Sequence, residues 1–114
     1  MLQKQLHDRL LSDINLLGIK LNFELELKPY SKTYFGRFNP NTNKITLYIY
    51  EDSKCTKLYP YLELLDTLIH EFTHWVQYSD PKFKRYKGVM HDSKFMVLFK
   101  YFKDRLHSIL LWRG

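Results

Sequence analysis

At 114 residues, 45% hydrophobic and 17% aromatic, the chain can build one packed core but not two, which excludes a multidomain enzyme and a disordered chain. Lys and Arg outnumber Asp and Glu by 18 to 12, a net +6 that suits phosphate-bearing or acidic partners and equally a plain solvated surface. One cysteine, Cys55, excludes an internal disulfide, and no apolar run approaches the ~18 residues that a bilayer span requires.

Leu2–Leu17 places Leu6, Leu10, Ile14 and Leu17 on one face, predicting an amphipathic helix stopped by Gly18. Leu21–Leu27 alternates strictly and reads as a strand with one wet face, ended by Pro29. Tyr30–Phe38 reads as a second strand, Asn39–Asn43 as a turn, and Lys44–Tyr50 as a third strand. From Lys57 to Tyr78, apolar residues recur every three or four positions, predicting a packed helix. Pro60 falls in its first turn, and Asp80-Pro81 closes it. A basic loop with Lys82, Lys84, Arg85 and Lys87 leads to a last helix over Phe95–Leu111, capped by Asp92 or Ser93. The predicted fold class is α+β: residues 1–114 as a single domain, with helices against a small, largely antiparallel three-stranded sheet.

Within the long predicted helix stands His70-Glu71-Phe72-Thr73-His74, an HExxH motif. Residues four apart on a helix lie about 40° round and roughly 6 Å along the axis, so two imidazoles can address one ion. Glu71, on the rim of that face, is placed to take a proton from an attacking water. Chance alone gives this pattern in roughly one chain per hundred of this composition, so the helical context carries the reading.

A catalytic zinc takes three protein ligands and keeps one position open. Asp80, His91 and His107 are the downstream candidates. Asp80 would need a turn at the position of Gln77, where the metzincin pattern has glycine. His91 lies at a helix start reached by a loop from the metal helix and can fold back on the first two ligands. His107 lies about four turns further on and reads as a helix-end residue, while His7 belongs to the first helix.

His70-Glu71-x-x-His74, sixteen residues, then His91-Asp92-x-x-Phe95 resembles the SprT-like (Spartan-type) zinc metallopeptidase domain. Upstream, Phe35-Gly36-Arg37-Phe38, a polar turn and Lys44–Ile49 resemble that family's strand–turn–strand, so the likeness spans residues 19–106. The resemblance implies Zn2+ held by His70, His74 and His91, Glu71 as general base, and a compact zincin-like arrangement. It also implies an edge strand beside the metal cleft, expected at Lys44–Tyr50, that binds extended peptide. Two departures stand out: no Cys-rich zinc ribbon accompanies the domain, and Asp92 follows His91 where Gly is common.

The expected function is therefore zinc-dependent cleavage of protein substrates, DNA-associated proteins included, with Arg85 and Tyr86 as weak candidates for oxyanion donors. DNA is a second expected partner through the basic surface, and membranes are not. With no signal-like segment after Met1, a cytoplasmic monomer is expected, in a host cytoplasm if phage- or element-encoded. The alternatives are a nucleic-acid-binding module with a structural or vestigial zinc, and a regulator that cleaves one specific repressor.

Overall fold

The computed structural model describes residues 2–85 and 88–113. The first helix, α1 (Leu2–Asn15), buries Leu10 and Ile14, and the chain then tightens through three successive i to i+3 hydrogen bonds to Gly18, at φ +77°. That left-handed conformation is one glycine adopts without the Cβ penalty, so Gly18 does stop the segment, although the helix itself ends at Asn15, two residues before the predicted Leu17. Three strands follow: β1 (Glu24–Lys28), β2 (Gly36–Asn39) and β3 (Lys44–Tyr48). The remaining helices are α2 (Tyr61–Ser79) and α3 (Ser93–Arg113), joined through a 3-10 turn at Pro81–Phe83.

The sheet is mixed, with order β1-β3-β2. β2 and β3 form the expected antiparallel pair, but β1 runs parallel to β3, with Leu25 opposite Ile45 and Leu27 opposite Leu47. This corrects the largely antiparallel sheet. Strand alternation has the same period of two in either pairing, so the pattern at Leu21–Leu27 does not encode direction. β1 begins only at Glu24, whose N–H donates to the Asn43 carbonyl; Asn43 is already in the turn, with φ 53°. Ser31 shortens β2, because its Oγ accepts from the amides of Thr33 and Tyr34 and folds that stretch into a turn.

A second correction concerns the edges. β3 is the central strand, with Ile45 and Leu47 fully buried, and the edges are β1 and β2. Tyr48 donates to the Phe35 carbonyl at 3.0 Å, so Phe35, Arg37 and Asn39 turn their backbone groups towards β3. The N–H and C=O of Gly36 and Phe38 therefore point outward from the free edge.

The long helix starts four residues later than predicted. Glu51 donates to Lys57, Tyr50 bridges Leu58, and Tyr59 donates to Ile49, so Lys57–Tyr59 extend along the end of β3. Pro60, at φ −54° and ψ 145°, is the N-cap of α2 and lies outside its first turn. α2 lies between the sheet and α3, with Leu65, Leu68, Ile69 and Phe72 fully buried among Leu10, Ile14, Ile45, Leu47 and Leu106. The Tyr61 hydroxyl donates to Asp13 of α1 and the Arg9 guanidinium covers its ring at 3.6 Å. Burial, with the Asp13 carboxylate, drives that phenol well above its ordinary pKa and keeps it a donor.

β2 sits on α2 through Gly36. A Cβ there would meet Thr67 Cγ2 at 2.9 Å, Leu47 Cδ2 at 3.0 Å and the Thr46 carbonyl oxygen at 3.0 Å. The carbonyl belongs to the sheet itself and cannot step aside. Gly36→Ala is expected to cost about 1–3 kcal/mol in denaturant unfolding by forcing β2 off α2. An unchanged midpoint would refute this account of the contact.

Candidate metal centre

α2 carries His70, Glu71 and His74 where its buried face meets solvent. Glu71 is 7% exposed and the two histidines are half-buried. Their imidazole centroids are 5.0 Å apart, as the i to i+4 spacing dictates. With its Nδ1 protonated, His70 donates to Glu71 Oε2 at 3.0 Å, which leaves its Nε2 as a free lone pair. Glu71 also lines the cleft in front of the helix.

His91 joins them from the start of α3. Its Nε2 faces that of His74 at 3.2 Å, and its ring lies 5.0 Å from His70. One nitrogen from each of the three histidines lies within 4.8 Å of the others. Zinc–imidazole bonds of about 2.0–2.1 Å in a tetrahedron separate the nitrogens by roughly 3.3 Å. The cluster is therefore compatible with a metal ion: three neutral-capable nitrogen donors converging on one point. Burial pushes the His74 imidazole down to about 4; the nearby Glu71 carboxylate opposes this, and His70, His91 and Arg85 deepen it. His74 is thus neutral at pH 7, with its lone pair available to a cation.

The other candidates lie elsewhere. The Asp80 side chain accepts from the Lys82 amide as the N-cap of the 3-10 turn. His107 contacts Asp66 at 2.7 Å, tying α3 to α2, and His7 contacts the Leu25 carbonyl at 2.7 Å. Arg85 lines the cleft, whereas Tyr86 and Lys87 lie outside the described residues.

Two features support His91. Asp92, 4% exposed, caps α3 by accepting from the Phe95 amide at 2.8 Å and also receives Gln77 Nε2 at 3.3 Å. Gln77 lies three residues after His74, so this contact pins the start of α3 to α2 one turn beyond the motif. The second feature is Phe95, 1% exposed, whose ring centroid is 5.0 Å from His70, 4.5 Å from His74 and 4.8 Å from His91. It is the shared floor of all three imidazoles. The sequence marks Gln77 only as a missing glycine; the amide's role depends on a pairing across fifteen residues that no local pattern encodes.

The cleft measures about 840 Å³ and runs from the histidines to the free edge of β2, between the apolar walls of Phe38, Tyr78 and Met90. Phe95→Ala removes the floor and is expected to cost about 3–5 kcal/mol in chemical denaturation, with Phe95→Leu costing less. Equal stability of all three proteins would show that the ring packing carries no energy.

No family model matches the sequence, and no curated protein matches it. Among solved structures, the fold is similar to that of the metallopeptidase zymogen of Pyrococcus abyssi abylysin, at 19% sequence identity and a TM-score of 0.54. The match covers 95% of this chain and 93% of that one. The chain therefore has a metallopeptidase-like, compact α+β fold, with a histidine cluster compatible with a metal ion at its centre.

Proposed function

We propose that this chain is a zinc-dependent endopeptidase of the SprT-like type, hydrolysing peptide bonds of protein substrates. The observation that supports this most is the convergence of His70, His74 and His91 beside Glu71, in a cleft whose far wall is a free strand edge. Zinc held by those three imidazoles supplies, when bound, polarisation of the scissile carbonyl and a more acidic water.

The chain's own groups do the rest. Gly36 and Phe38 offer outward N–H and C=O groups to an extended peptide, which adds to the sheet as a fourth strand. His70 holds one Glu71 oxygen, so the carboxylate stays fixed beside the cleft. Glu71 accepts a proton from the water as its oxygen bonds to the carbonyl carbon. The same carboxyl then delivers the proton to the amide nitrogen as the carbon–nitrogen bond breaks. The hydrophobic cover from Phe95 and Phe99 under the histidines limits water to the open side. The proposed setting is a cytoplasmic monomer whose basic surface brings it to DNA-associated proteins.

Glu71→Gln keeps the size of the side chain and loses the base. The expected result is at least a ~100-fold loss of peptide turnover with metal content unchanged; undiminished turnover would overturn the mechanism. The ligand set is tested by metal analysis of purified variants. His91→Ala is expected to lose bound zinc and Asp80→Ala to retain it, and the reverse pattern would remove both His91 and the SprT-like assignment.

A further inference from the structure

Some cations of this protein are neutralised locally, and others, at the cleft and elsewhere on the surface, are not. Lys4, Lys28, Lys44, Lys57, Lys100 and Lys103 each have a carboxylate oxygen within 3.8 Å, all away from the cleft. Arg37, Lys84 and Arg85 line the cleft, and among the described residues none of them has an ion-pair partner. Arg37 rests on the Tyr34 ring at 4.7 Å, which positions the guanidinium without neutralising it. The cleft's own acid is Glu71, sunk in its floor and engaged by His70. The neighbouring acids, Asp80 and Asp92, are occupied as helix caps and do not line it.

We infer that the cleft selects peptides bearing Asp or Glu close to the scissile bond, with Arg37, Lys84 and Arg85 as the groups that read them. This rests on the peptidase reading above and adds its substrate class. Three cations lining one largely apolar cleft focus a positive potential into it, which favours an acidic side chain. Arg85 lines the cleft together with His74 and His91. Arg37 stands on β2 between Gly36 and Phe38, whose outward backbone groups suit a peptide main chain. A phosphodiester backbone offers no N–H to pair with that edge, so peptide is favoured over single-stranded nucleic acid.

The test uses the full-length, zinc-loaded protein and a proteome-derived peptide library, with cleavage sites mapped by mass spectrometry. Sites are expected to be enriched in Asp and Glu on either side of the cut. For cleaved peptides, replacing each such Glu by Gln should lower kcat/KM about fivefold, less at high salt. The variant R37E/K84E/R85E should turn the preference towards Lys and Arg. Equal kcat/KM for Glu and Gln peptides, or an unchanged preference in the reversed variant, overturns the inference.

Binding separates this inference from the peptidase reading. Fluorescence anisotropy with Glu71→Gln measures labelled degenerate peptides fixed for Glu or for Gln, with an oligothymidylate as competitor. Tighter binding of the Glu pool, lost in the charge-reversed protein, supports acidic selection even if the wild type cleaves nothing, and in that case the peptidase reading alone fails. Equal binding of the two pools overturns the selection, as does oligothymidylate binding far more tightly than the Glu pool.

Discussion

The Asp92 carboxylate is the constraint on which the candidate centre depends. Two of the three imidazoles come from one helix and are fixed relative to each other by helical geometry alone. The third comes from the turn that leads into α3, across a basic segment that includes Gly88 at φ +81°. Asp92 reduces that freedom by closing the first turn of α3 and taking the Gln77 amide at the same time. Buried side-chain contacts of this kind hold a neighbour only when their partners are rigid, and α2 is rigid because nearly its whole circumference is packed. One acidic residue, next in sequence to His91, thus ties the third imidazole to the packed core.

Below that strut, the site is built of carbon. Phe95 stacks on His74, and Phe99 stacks on Phe95 and meets His70 edge-on. Such a floor does two things at once. It holds ring orientations through contact, and it lowers the local polarity so that His74 does not take up a proton. Packing and electrostatics act here in the same direction, towards neutral donors aimed at one point.

Much of this was legible in the sequence, for reasons that differ between elements. α2 and its HExxH are local: a helix of period 3.6 carries His70 and His74 to one face whatever the rest of the chain does. His91 was legible through its place at a helix start, and Asp92 through its capping chemistry. The sheet was legible only in part. Its three strands follow from alternation and turn residues, but the insertion of β3 between β1 and β2 is a non-local choice that alternation leaves open. The expected edge at Lys44–Tyr50 failed for that reason, and with it the identity of the strand facing the cleft. The helix start at Lys57 failed because Leu58 and Tyr59 satisfy apolar periodicity while their backbone groups bond to the end of β3.

The free edge of β2 has one more consequence. It is four residues long, with Pro40 immediately after it and Arg37 in its middle. An open edge is a template for any strand, a second copy of the same chain included. Two such edges brought together would set Arg37 of each against the other in the neighbourhood of unneutralised lysine and arginine, and Pro40 would stop the ladder from lengthening. The features that leave the strand open to a short acidic guest thus also oppose the growth of a self-paired ladder along it.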